Sequence, residues 1–177
     1  MSQKKKTMNS DGLSKKINEQ QIYNNSVLTR KIFIPIRNIN NNMIPLLKKE
    51  VLSQIEGRCI VEGYVKPSSV NIISYSSGLI NADYITFNVL FECMICMPSE
   101  GMHVKCIVKN VTKAGVKAET NESPNPLIIF IARDHHYNIP SFSKIQENDE
   151  IMIKIIGQRF ELNDKYISII AELIDTN

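Results

Sequence analysis

Two clusters in this chain hold residue types that can do chemistry. Cys93-Met94-Ile95-Cys96, with Cys106 close behind, has half the pattern of a tetrahedral thiolate zinc site. Asp134-His135-His136, followed by Ser141 and Ser143, sets acid, imidazole and hydroxyl near one another, as a nucleophilic hydrolase would. Neither cluster is completed elsewhere. Residues 84–97 (YITFNVLFECMICM) read as one long β-strand, and residues three apart on a strand point to opposite faces, away from a shared ion. No second Cys-x-x-Cys follows, and adjacent His135 and His136 are poorly spaced for joint ligation. The four cysteines are read as buried apolar thiols, and no metal or other cofactor is expected. The sequence has no Gly-x-Ser-x-Gly elbow, glycine-rich phosphate loop or acid-rich metal motif, so no intrinsic catalysis is expected.

A third pattern is electrostatic. In residues 98–119, Met102, Val104, Cys106 and Val108 alternate with His103, Lys105, Ile107 and Lys109. A period of two puts these sets on opposite faces of a sheet. Lys113-Ala114-Gly115 supplies a turn into a second alternating strand, Val116-Lys117-Ala118-Glu119, and residues 147–160 echo the pattern. The outward positions carry lysine and almost no acid. This predicts a small β-barrel with a basic outer face able to track single-stranded nucleic acid. The RNA-facing candidates are Lys105, Lys109, Lys113, Lys117, Arg133, His135, Tyr137, Lys154 and Arg159. Each phosphate neutralised on a single strand adds about 0.7 to the salt slope of binding. The same lysines also fit a solvated barrel face, and a net charge of +3 does not by itself demand a polyanionic partner.

The elements that position these residues fall into two modules within 177 residues. Residues 1–28 are polar, include Lys4-Lys5-Lys6, and show no sustained apolar period, so they are expected to form a disordered basic arm. Residues 29–98 are expected to form a small α+β domain. Residues 30–36 (RKIFIPI) read as an edge strand, and Ile44, Leu47, Val51 and Ile55 mark one face of a helix. An asparagine among Asn40-Asn41-Asn42 is expected to cap that helix and Gly57 to stop it. Residues 58–65, 70–75 and 84–97 supply further strands. Residues 99–177 are expected to form the barrel, with strands near 102–111, 115–120, 127–132, 149–160 and 165–174 and a longer link after the third. That is the layout of an OB fold. The predicted fold class is mainly β, a small sheet with one helix followed by a five-stranded barrel. No apolar run reaches the roughly 20 residues needed to span a bilayer, and no membrane association is expected. The N-terminus lacks the apolar stretch of a secretory signal, so an intracellular, soluble protein is expected.

The order of motifs resembles a known family over nearly all of residues 29–174, the stalk subunit of multisubunit RNA polymerases. In eukaryotic RNA polymerase II this is the seventh subunit, and archaeal polymerases carry its counterpart. The resemblance is carried by Ile55-Glu56-Gly57-Arg58-Cys59, Gly63-Tyr64-Val65, Gly78-Leu79-Ile80, Met97-Pro98 and Glu100-Gly101. It continues through residues 108–115, Ile131-Ala132-Arg133, and residues 149–159 with their Ile156-Gly157 step.

The resemblance implies a tip domain that docks at the base of the polymerase clamp, a small helical partner subunit, and a barrel that contacts nascent single-stranded RNA. It points to Gly63, Tyr64, Val65, Lys66 and Pro67 as the docking loop, read as an exposed hydrophobic wedge, together with residues 38–45. Val116 and Lys117 stand where family members often carry aromatics, so a stacking contact there is absent or moved. The link after Arg133 is shorter than in the eukaryotic subunit, and the arm is additional. Abundant isoleucine and asparagine suggest an AT-rich genome, a large DNA virus or a protist. The expected location is the virion or host cytoplasm for a viral protein and the nucleus for a cellular one. A free-standing OB-fold RNA-binding protein, acting in translation or RNA processing, is the alternative.

Overall fold

The structure, a computed structural model, describes residues 21–174. Its first sheet is built on one spine, the strand β6 (Tyr84–Cys96). Along one side of β6 runs the strand β1 (Tyr23–Pro35), antiparallel from Tyr23 opposite Cys96 to Pro35 opposite Tyr84. Along the other side lie in succession β3 (Gly63–Val65), β4 (Asn71–Tyr75) and β5 (Leu79–Asn81), with β2 (Cys59–Ile60) hairpinned to β3. The spine is 13 residues long, roughly 40 Å at about 3.3 Å per residue.

Two expectations are corrected here. Residues 23–28 belong to β1 rather than to a polar arm. Asn24 and Asn25 are exposed, so no apolar period marks this stretch; main-chain pairing with the whole of β6 defines it instead. Residues 1–20 of the expected arm, including Lys4-Lys5-Lys6, lie outside the described residues. Residues 58–65 form a tight hairpin, β2 and β3, turning at exposed Val61, in place of a single strand. Gly63 permits it: a Cβ there would come within 2.5 Å of the Cys96 carbonyl oxygen. Proline at the end of an edge strand holds as read, since nothing pairs with the outer side of β1 among the described residues.

The helix α1 (Met43–Ile55) covers one face of this sheet with Leu47, Val51 and Ile55 buried. They meet Ile32, Ile34, Val65, Phe87, Val89 and Phe91 in one core. At its start Asn42 occupies the N-cap position without a side-chain cap bond; the Asn40 side-chain oxygen accepts the Asn42 N–H at 2.9 Å instead. Gly57 follows the helix at φ +65°, where glycine is unstrained.

The second sheet is a closed five-stranded barrel in the order β10-β11-β9-β8-β7, formed by β7 (His103–Val111), β8 (Gly115–Glu119), β9 (Leu127–Ala132), β10 (Glu150–Arg159) and β11 (Ile167–Leu173). Only β9 and β11 run parallel, and this is the OB arrangement. Alternation fills the interior: Val104, Cys106, Val108, Val116, Ala118, Ile129, Ile131, Ile153, Ile155 and Ile169 are all buried. Short 3-10 turns at Arg133–His135 and Pro140–Lys144 interrupt the link between β9 and β10, and Phe142 from the second closes the barrel end.

The two sheets share a core. Cys59, Tyr64, Cys96 and Tyr23 lie side by side across β2, β3, β6 and β1, and their side chains pack with the barrel interior. The β10–β11 hairpin fastens the seam: the Cys59 N–H donates to the Asp164 carbonyl at 2.7 Å, and the Asn163 N–H donates to the Cys59 carbonyl at 2.9 Å.

Candidate nucleic-acid and docking surfaces

The basic residues predicted for the barrel separate into two groups. Lys105 pairs with Glu150 at 2.7 Å, Lys154 with Glu172 at 2.9 Å and Arg159 with Glu161 at 3.3 Å. The outer face is therefore less free of acid than the alternation suggested. Strand pairing brings in glutamates from β10 and β11 that the local pattern around each lysine does not contain. Such exposed pairs contribute about 0–1 kcal/mol each, but they neutralise the local field that would draw a phosphate.

Lys109, Lys113 and Lys117 make no ion pair among the described residues, and all three are exposed. They gather at one end of the barrel: Lys109 in the β7 bulge, Lys113 in the β7–β8 turn, Lys117 on β8. Arg133 joins them. Its Nε donates to the Lys113 carbonyl at 3.0 Å and its Nη2 to the Thr112 carbonyl at 3.1 Å, so the guanidinium clamps this turn and leaves its charge there. The structure thus brings four of the predicted cations together and assigns the other three to paired positions.

Exposed His135 and Tyr137 flank buried His136 on the link that follows Arg133. His136 Nδ1 lies 2.7 Å from the Ala132 carbonyl, and its Nε2 accepts the Leu173 N–H at 2.9 Å. Its ring stacks on Phe142 with centroids 4.9 Å apart. Only the neutral ring with its proton on Nδ1 satisfies both bonds. Both nitrogens are committed to main chain, so His136 is no base for Ser141. It anchors the loop that displays His135 and Tyr137.

The proposed docking wedge is not exposed. Tyr64 is 1% and Val65 0% accessible, and they face different cores, Tyr64 the seam and Val65 the side covered by α1. Gly63 is buried against β6. Lys66 pairs with Glu122 on the barrel at 3.1 Å and lies over the Tyr23 ring at 4.5 Å, and Pro67 packs near Gly57. The segment around Gly63 lies at the seam between the two sheets, where short β2 and β3 pair beside the Cys96 end of β6.

Exposed apolar groups collect at the opposite end of β6. Phe33, Thr86 and Leu79 form one cross-strand row, and Pro35, Tyr84 and Asn81 form the next on the same face. Leu79 is 68% exposed, with Phe33, Ile36, Ile44, Ile80 and Tyr84 also open to solvent. A 3-10 turn at Ile36–Asn38 leads from this end into the predicted segment 38–45, and the Ile36 N–H donates to the Asp83 carbonyl at 2.9 Å.

The thiols behave as their burial requires. Cys93 and Cys96 face different cores. Burial pushes the Cys59 thiol up to about 11, with Asp164 adding to the shift, and pushes Cys96 and Cys106 up to about 12. Cys93 is raised for the same reason. Tyr23 is also raised, by burial first and then by its neighbours Cys96 and Tyr64, and its hydroxyl has no hydrogen-bond partner among the described residues.

No protein-family model matches the chain. Curated relatives do. A protein of Acanthamoeba polyphaga mimivirus described as a DNA-directed RNA polymerase subunit is 25% identical over 173 residues, covering 89% of this chain and 84% of its own length. RNA polymerase II subunit rpb7 of Dictyostelium discoideum is 28% identical over 140 residues, covering 70% of this chain and 79% of its own. RNA polymerase II subunit RPB7 of Glycine max is 28% identical over 144 residues, covering 72% and 77%. The chain is thus a homologue of RNA polymerase subunits, similar to the seventh subunit of eukaryotic RNA polymerase II and to a viral polymerase subunit.

Proposed function

We propose that this protein is a non-catalytic stalk subunit of a DNA-directed RNA polymerase. It docks to the core enzyme near the clamp and holds its barrel against the emerging transcript. The observation that carries this reading is similarity to polymerase subunits over 70–89% of the chain, which spans tip and barrel together. A free RNA-binding barrel has no use for a 13-residue spine ending in exposed apolar side chains. That end, with Phe33, Leu79 and Tyr84, is the docking surface. Gly63, Tyr64, Val65, Lys66 and Pro67 keep it rigid relative to the barrel. A small helical subunit partners the stalk. Nascent RNA follows the cations Lys109, Lys113, Lys117 and Arg133, with His135 and Tyr137 beside them. The protein works where its polymerase works, in the virion or host cytoplasm for a viral enzyme and in the nucleus for a cellular one. Affinity purification from the native source tests the assignment. Recovery of the two largest polymerase subunits supports it; recovery of ribosomal or processing factors without them assigns a free-standing RNA-binding protein instead.

A further inference from the structure

Among the described residues, a barrel strand carries an exposed aromatic, Phe130, that the charge pattern did not single out. Phe130 on β9 is paired on one side with Lys117 of β8 and on the other with Ile170 of β11, and Ile170 is in turn opposite Gly157 of β10. Phe130 is 40% exposed, Lys117 is exposed, and Asn110 continues the row on β7. The Cβ atoms of residues directly opposite in adjacent strands sit about 5 Å apart, so Lys117 and Phe130 are neighbours on the outer face. The ring is also held. A Cβ on Gly115 would lie 3.0 Å from Phe130 Cζ, so the ring leans over the β8 main chain where no side chain intervenes. At the other end of the row, Gly157 leaves open space beside Ile170.

We propose that Phe130 is a base-stacking platform for single-stranded RNA, with Lys117 holding an adjoining phosphate. This rests on the reading of the barrel as an RNA-contacting surface and deepens it. An apolar protein partner is the other cover that Phe130 and Ile170 would accept. The charge around the ring favours nucleic acid: Lys117 is unpaired among the described residues, and Lys109, Lys113 and Arg133 stand at the same barrel end. A stacked base needs one held aromatic face next to a cation, and it needs no sequence-reading donor set.

The test uses the full chain and a fluorescent 12-mer of oligoadenylate, with an abasic ribose-phosphate 12-mer as control. Phe130→Ala and Phe130→Leu are expected to weaken oligoadenylate binding about 5- to 150-fold, while Phe130→Trp retains it. The salt slope is expected to stay unchanged in all three, and the abasic control to show no loss. Circular dichroism melts confirm that each variant is folded. Loss with Ala and recovery with Leu means that the side chain serves as apolar bulk, and overturns stacking. Wild-type affinity in every Phe130 variant, combined with loss on Lys113→Glu and Lys117→Glu, overturns the platform and leaves the RNA-contacting face standing. Absence of binding by the unaltered protein overturns both.

Discussion

Cys59 and Asp164 stand 105 positions apart in sequence, yet the Cys59 N–H donates to the Asp164 carbonyl at 2.7 Å across the seam between tip and barrel. The neighbouring Asn163 N–H returns the bond to the Cys59 carbonyl at 2.9 Å. The β10–β11 hairpin, a loop that many OB folds use for ligands, is here engaged in fixing the tip.

Asn163 makes this clasp testable, because its φ of +70° suits glycine or asparagine and penalises branched residues. Asn163→Gly is expected to leave stability nearly unchanged. Asn163→Val is expected to cost about 1–3 kcal/mol and to broaden or split the unfolding transition as tip and barrel uncouple. Denaturant titration followed by circular dichroism measures both. Equal behaviour of the two variants would show that the hairpin does not couple the modules.

Burial decides which tip substitutions are informative. Tyr64→Asp places a carboxylate in a site 1% accessible and is expected to destabilise the protein by about 4 kcal/mol or more, so it says nothing specific about docking. Leu79→Asp and Phe33→Asp lie on exposed positions and are expected to change stability by about 0.5 kcal/mol or less while abolishing recovery of polymerase subunits. Thermal melts alongside quantitative co-purification separate the two effects.

Much of this architecture could be read from alternation. The barrel strands follow the period of two, with the third at 127–132 as expected, and α1 follows the predicted apolar stripe. What escaped reading depends on pairing rather than on local pattern. Residues 23–28 are a strand because β6 is long enough to pair with them, and nothing in Tyr23-Asn24-Asn25-Ser26 announces it. Glu150 meets Lys105, and Glu172 meets Lys154, only through the pairing of β10 with β7 and with β11. Tyr64 and Val65 read as an exposed turn because a short hairpin sequence does not reveal that both its faces are covered. Phe130 was legible in principle: in Leu127-Ile128-Ile129-Phe130-Ile131-Ala132 it falls on the outward register, opposite to Ile129 and Ile131. His136 was hidden beside an exposed twin, and only its two main-chain bonds distinguish it.

The division of the cations yields a graded expectation. Lys113→Glu and Lys117→Glu together should lower the salt slope of RNA binding by about 1.4, two phosphates at roughly 0.7 each. Lys105→Glu and Lys154→Glu should lower it less, because Glu150 and Glu172 already occupy those charges. Affinity measured against salt concentration decides; equal slopes for the two double variants would contradict the grouping.

The thiols predict an alkaline limit. All remain neutral at pH 7 in folded and unfolded chains, so they add no pH dependence there. Above the ordinary value of 9.0 the unfolded chain ionises first, while Cys59 holds its proton to about 11 and Cys96 and Cys106 to about 12. Stability is therefore full below about pH 9 and falls as pH rises toward 11–12, because the unfolded chain gives up its thiol protons first. Denaturant midpoints between pH 7 and 11 measure this, and a flat profile would contradict the burial of these groups. Native protein should also react slowly with a thiol reagent at pH 8, and all four cysteines should react on unfolding.

Site-specific photocrosslinking in the native transcription complex tests the central claim most directly. A photoreactive residue at Leu79 is expected to crosslink to a large polymerase subunit, and one at Lys117 to RNA. Crosslinks from Leu79 to proteins unrelated to polymerase, or none at all while Lys117 still captures RNA, would contradict the stalk assignment.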